Sequence, residues 1–93
     1  MRTIERTSKF KQDFKHEQRG RHRDTLDAAL LAIVELLVID AELPAAAVDH
    51  PLRGEWKDHR DCHLMPDLVL IYRKKGKTAL QLVRIGSHSE LGL

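Results

Sequence analysis

Residues 58–85 read DHRDCHLMPDLVLIYRKKGKTALQLVRI, and this stretch decides the fold. Three runs rich in strand formers, Asp58–Leu64, Leu68–Arg73 and Thr78–Ile85, are separated by Met65-Pro66-Asp67 and by Lys74-Lys75-Gly76-Lys77, both of turn composition. Connections this short join antiparallel neighbours. Leu68–Tyr72 is apolar without a break, the pattern of a central strand covered on both faces.

Outward from this stretch, the N-terminal half reads as helical. Met1–Thr7 is short and β-compatible, anchored by Ile4. Ser8 is the expected N-cap of a helix running to about Arg19, with Phe10 and Phe14 on one face and Gly20 as its stop. Asp24 offers a second N-cap. Leu26, Leu30, Ile33, Val34 and Leu37 then form a helical stripe through about Ile39. Ala28, Ala29, Leu31, Ala32, Leu36 and Val38 widen that stripe, so a mostly buried helix is expected. Pro44 closes the region, and Ala45–Val48 suits a further short turn. The order β-α-α-β-β-β predicts an α+β domain, with two N-terminal helices packed on one face of a mostly antiparallel sheet. Its 93 residues suffice for one modest core, so a single domain over 1–93 is expected.

Composition narrows the functional classes. With 42% apolar and 32% charged residues, the chain reads as neither disordered nor membrane-embedded. Its longest apolar run, Ala28–Val38, is interrupted by Glu35 and falls short of a membrane span. The first residues lack the apolar core of a signal peptide, and one cysteine, Cys62, cannot form an intrachain disulfide. A cytoplasmic protein is expected. Charge is segmented: residues 1–23 carry a net +5, residues 24–49 a net −6 and residues 50–93 a net +3. Two basic segments flanking an acidic helix suit a polyanionic partner, although solvated lysines and arginines would give the same count.

Four groups with acid/base chemistry, His50, His63, Asp67 and His88, crowd the second half. Histidine gives and takes protons near neutral pH, its ordinary pKa being about 6.5. Alternation along Asp58–Leu64 puts His59, Asp61 and His63 on one strand face and Arg60, Cys62 and Leu64 on the other. With Cys62 and Leu64 turned to the helices, His63 lies on the open face, close to Asp67 beyond the turn. Exposed salt-bridge decoration is the bland alternative.

His59-x3-His63 mimics a zinc pair, but four strand residues span about 13 Å, too far for shared ligation. With no CxxC or HExxH motif either, no metal or other cofactor is expected. Pro51 holds His50 in an extended conformation. Ser87-x-x-Glu90 matches a capping box, which makes His88 the first residue of a short helix. Arg84, just before Gly86 and His88, suits a phosphate oxygen, with Lys57 and Arg60 as weaker candidates. Trp56 reads either as packing at the sheet edge or as a platform for a base.

These groups together suit phosphodiester cleavage without metal. RNA supplies its own nucleophile, the 2′-hydroxyl, so the protein need only move protons and stabilise a charged phosphorane. DNA lacks that hydroxyl and would call for metal ligands that are not evident.

The segment His50-Pro51-Leu52-x-Gly54-x-Trp56-Lys57, followed by Arg60-Asp61-x-His63-x-x-Pro66-Asp67-x-x-Leu70-Ile71-Tyr72 and by Arg84-x-Gly86-x-His88-x-x-Leu91, resembles YafQ-type toxins of the RelE/ParE superfamily. The likeness covers the whole chain in length and element order, and its motifs are specific from His50 onward. It implies a RelE-like fold and the toxin half of a bacterial type II toxin–antitoxin pair. It also implies an endoribonuclease that cuts mRNA in the ribosomal A site, bound by a cognate antitoxin and needing no DNA or membrane contact. Catalytic roles carry over to His50, His63, Asp67 and His88, with Asp61 in support. His88 would be the acid, Asp67 or His63 the base, and His50 would orient or stabilise charge. Leu91 stands where the family usually has an aromatic residue. A non-nucleolytic, gyrase-poisoning toxin of the same superfamily and a basic RNA-binding module are the alternatives.

Overall fold

A computed structural model describes residues 1–93. Its elements are β1 (Thr3–Arg6), α1 (Ser8–Glu17), α2 (Leu26–Val38), β2 (His50–Pro51), β3 (Arg60–Met65), β4 (Leu68–Lys75), β5 (Ala79–Gly86) and α3 (His88–Leu91), with single 3₁₀ turns at Ala45–Ala47 and Gly54–Trp56. The five strands form one sheet in the order β1-β5-β4-β3-β2. As expected, β3, β4 and β5 form an antiparallel meander, and β1 closes the far edge by pairing parallel to β5. The fold is α+β. The two-residue strand β2, which the sequence pattern did not foretell, pairs His50 with Asp61.

Thr7, rather than Ser8, caps α1: its hydroxyl oxygen accepts from the Phe10 amide at 3.0 Å and donates to the Val83 carbonyl at 2.8 Å. One side chain thereby starts the helix and moors it to β5. α2 starts at Leu26 after Thr25, whose side chain makes no capping bond, so Asp24 is not its N-cap.

The wide stripe expected on α2 is narrower in the structure. Leu26, Ile33, Val34, Leu37 and Val38 are buried, but Ala28, Leu31 and Ala32 are exposed. A helix lying on one sheet face buries one side only.

The main core lies between helices and sheet, with Phe10, Leu26 and Leu37 against Cys62, Leu70, Tyr72, Leu80 and Ile85. Alternation along β4 sends Val69 and Ile71 to the opposite face, where they pack with Val83 and Leu91 under a partial cover of Leu52 and Trp56. β4 is therefore covered on both faces, as its unbroken apolar run predicts. Burial raises the Cys62 thiol to about 12, which keeps it protonated and unreactive.

Candidate active site

Sheet register assembles the site. His63 of β3 pairs with Val69 of β4, and Val69 with Gly86 of β5, so one row of the sheet carries His63 at one end and leads into Ser87 and His88 at the other. α3 then folds back. Ser87 is its N-cap, with its hydroxyl accepting from the Glu90 amide at 3.1 Å while the Glu90 carboxylate accepts from the Ser87 amide at 2.9 Å. A side chain at Gly86 would crowd this turn, its Cβ lying 3.3 Å from the Glu90 carboxylate and 3.4 Å from Leu91. The result is an edge-to-face contact between the His63 and His88 rings, with centroids 4.9 Å apart.

A second row places His50 opposite Asp61. The His50 Nδ1 lies 2.9 Å from the Val48 carbonyl and 3.0 Å from Asp61 Oδ1. The Val48 carbonyl is the hydrogen-bond acceptor, with Asp61 Oδ1 a close carboxylate neighbour outside hydrogen-bond geometry. An acceptor on Nδ1 calls for a proton there, which leaves Nε2 as the proton-accepting position of the neutral ring.

Asp61 is the one buried charged residue of the chain, 2% exposed. Burial pushes its carboxyl above the ordinary range, while His50, His63 and His88, in that order, pull it back. A carboxylate under this penalty is retained where positive charge develops beside it. The expected shared face of Asp61 and His63 is thus present, but it is not open at Asp61.

Asp67 corrects the expected grouping. Its carboxylate turns to the α1–α2 connection, with Oδ1 2.9 Å from His22 Nε2 and Oδ2 3.2 Å from Arg21. The expected tie between Asp67 and His63 is absent from the ion pairs and hydrogen bonds, because the turn directs the side chain away from the β3 face. His22 is the main reason that the Asp67 carboxyl lies below the ordinary range. No local signature marked Arg21 or His22, since both act only through a contact more than 40 residues away in sequence.

The cations expected to meet phosphate are partly committed elsewhere. Arg84 forms a forked pair with Asp13 of α1, at 2.6 and 3.1 Å, and its guanidinium pKa is raised by that partner. Arg60 donates to Asp49 at 3.1 Å, and Tyr72 donates to the same carboxylate oxygen at 2.6 Å. Lys57 is exposed and in no ion pair. Trp56 is half-buried over the second apolar cluster and meets His59 edge-on at 5.4 Å. Leu91 is 5% exposed and packs into that same cluster, so here it is a core residue.

His59 lies just outside β3 and contacts the Lys57 carbonyl at 3.1 Å. It does not converge with His63 on a common ligand position. The side chains whose donor atoms do converge are His16, Glu17 and Glu90, all within 4.8 Å of one another.

Comparison with known proteins places the chain. Residues 2–92 match the family described as bacterial toxin of type II toxin–antitoxin system, YafQ, and the chain belongs to that family. It is 40% identical over 92 residues to the mRNA interferase toxin YafQ of Escherichia coli K12, covering 97% of this chain and 95% of that protein. In the crystal structure of the E. coli DinJ–YafQ complex, a chain 36% identical superposes with a TM-score of 0.83, covering 98% of each chain. A copper-bound mutant toxin from Helicobacter pylori, 34% identical, superposes at 0.88 over 98% of this chain and 99% of that one. No helix of the chain is long and apolar enough to cross a membrane.

Proposed function

We propose that this chain is an mRNA interferase, an endoribonuclease toxin that cuts mRNA in the ribosomal A site and is restrained by a cognate antitoxin in the cytoplasm. The observation that carries the reading is the gathering of His50, His63 and His88 around the buried Asp61. Similarity to a named mRNA interferase supports the substrate class, and the DinJ–YafQ complex supports an antitoxin partner.

In the proposed mechanism His63 accepts the proton of the RNA 2′-hydroxyl. The 2′-oxygen then attacks phosphorus, the bond to the 5′-oxygen breaks, and His88 donates a proton to that leaving oxygen. The products are a 2′,3′-cyclic phosphate and a free 5′-hydroxyl. His63 suits the base better than Asp67, whose carboxyl is held below the ordinary range by His22 and Arg21 and is the weaker proton acceptor for it. His50, oriented by Asp61, stabilises negative charge on the phosphorane. No step of this scheme runs through a metal ion.

Induction in bacteria followed by mapping of mRNA 5′ ends tests the reading. New ends inside translated codons are expected, and His88→Ala should abolish them while the variant still binds its antitoxin. Intact transcripts in growth-arrested cells would favour the non-nucleolytic toxin instead. Cleavage by purified toxin should persist in chelator; loss that added zinc or copper restores would replace the metal-free scheme.

A further inference from the structure

We propose that His22, in the connection between α1 and α2, is a positioning residue that acts with Arg21 to clamp the two oxygens of Asp67 and present that carboxylate as a fixed anion to the RNA-cleaving site. The proposal rests on the proposed function and adds to it a supporting role for Asp67, distinct from that of the base. Its physical basis is the arrangement around Asp67 itself.

His22 Nε2 is shielded from solvent and has no partner of hydrogen-bond geometry; its nearest polar neighbour is Asp67 Oδ1, an ion-pair contact at 2.9 Å. The residue is only 17% exposed, whereas the Arg21 side chain, 3.2 Å from the other oxygen, is 79% exposed. The two partners therefore differ in kind. Arg21 is an exposed cation whose single pair contributes little by itself. His22 is held: its carbonyl accepts from the Leu26 amide at 2.9 Å and from the Thr25 amide at 3.0 Å, which fastens it to the start of α2. A mostly buried side chain on a backbone anchored in this way fixes the carboxylate's orientation at small entropic cost.

Other charges face the same place. A polar cleft of about 280 Å³ adjoins Asp67, and His16 and Glu17 of α1 and Glu90 of α3 complete its walls. His16 lies 3.6 Å from Glu90, leaving Arg21 and His22 as the groups facing Asp67. Ser87 also lines the cleft, so the space that Asp67 borders reaches the residue before the proposed acid. A carboxylate held ionised by its partners can accept a hydrogen bond from the 2′-hydroxyl or from a protonated ring without competing for the proton.

Purified toxin, programmed ribosomes and His22→Ala, His22→Gln, Asp67→Asn and the His22→Ala/Asp67→Asn double variant test this. His22→Ala should lower kcat between about 10-fold and 100-fold with KM changed less than about twofold. His22→Gln, which keeps an N–H donor, should recover most of the rate, and the double variant should be no slower than Asp67→Asn alone. The Asp67 carboxyl carbon, followed by NMR, should titrate at higher pH in His22→Ala than in the parent protein. Should His22→Ala not fold, His22→Asn, whose shorter amide falls short of Asp67, takes its place. Wild-type cleavage by His22→Ala, additive losses in the double variant, or an unmoved Asp67 titration would overturn the proposal. Undiminished cleavage by Asp67→Asn would instead overturn the assignment of Asp67 to the site.

Discussion

Asp61 Oδ1 lies 3.0 Å from Nδ1 of His50, and this carboxylate is almost fully removed from water. The pair joins the second residue of β3 to a two-residue strand at the sheet edge, so the sheet itself sets the orientation of the imidazole. Asp61 is also the carboxylate toward which His63 and His88 exert their attraction.

Asp61→Asn should separate stability from activity. Because burial raises the Asp61 carboxyl, the folded protein holds that proton more tightly than the unfolded chain does. Its contribution to stability is then greatest at acid pH and declines as pH rises through the interval between the ordinary and the raised value. Asparagine removes this penalty, so Tm near neutral pH should equal or exceed that of the parent. Cleavage should fall by roughly 10-fold to 100-fold as His50 loses its anionic partner. Thermal melts between about pH 4 and pH 7, paired with cleavage rates, decide it; full activity in Asp61→Asn would remove the carboxylate from the mechanism.

Ser87→Ala should loosen the acid. The Ser87 hydroxyl and the Glu90 carboxylate cap each other's amides, and loss of an N-cap costs about 1 kcal/mol. Hydrogen bonds from Ser87 hold the Glu90 carboxyl below its ordinary range, so this support is present above that range and disappears as pH falls through the lowered value. In a helix of four residues that loss is enough to fray the element carrying His88. Faster amide exchange over 88–92 together with slower cleavage is expected. Unchanged exchange would mean that Leu91 packing alone holds α3.

Arg84→Gln should reduce stability rather than RNA affinity. Both partners of the Arg84–Asp13 fork are mostly buried, at 20% and 14% side-chain exposure. Asp13 also accepts from the Ile85 amide at 3.2 Å, so the pair fastens α1 to β5. Removing one partner should cost about 2 kcal/mol, seen as a lower denaturation midpoint. An unaltered midpoint with a raised KM would return Arg84 to the phosphate-binding role its sequence position suggests.

Val48→Gly should stabilise the protein. Val48 adopts φ 48°, ψ 48°, a left-handed conformation that is a genuine outlier for a β-branched residue. Its carbonyl is the acceptor 2.9 Å from His50, which gives the strained backbone a place beside the site. Glycine relieves strain of about 1 kcal/mol at an exposed position, and the carbonyl is kept. Chemical denaturation should show the gain, with cleavage unchanged. A lower midpoint would show that the Val48 side chain contributes packing that outweighs the strain.

Much of this protein is set by local chemistry and was legible in the chain. Period-two alternation and turn residues predicted the three-strand meander to within two residues at each end, and the Ser87–Glu90 capping box predicted α3. Alternation also placed Asp61 and His63 on one face. Boundaries that depend on a tertiary contact were missed. Thr7 displaces Ser8 as a cap because its hydroxyl also reaches Val83, and His50–Pro51 becomes a strand only because β3 offers it an edge.

The sequence by itself determined which side chains have the chemistry and which short-range geometry they take, because propensity, alternation and capping act over a few residues. Only the tertiary structure decided their company. It buried Asp61 among three histidines, brought His63 against His88 through a shared row of the sheet, turned Asp67 to Arg21 and His22, and bound Arg84 to Asp13. Apart from Asp61 and His63, neighbours on one strand, each of these pairings joins parts of the chain well separated in sequence, and their energies depend on burial and on distances of a few ångströms. Register across the sheet and packing of the helices supply both.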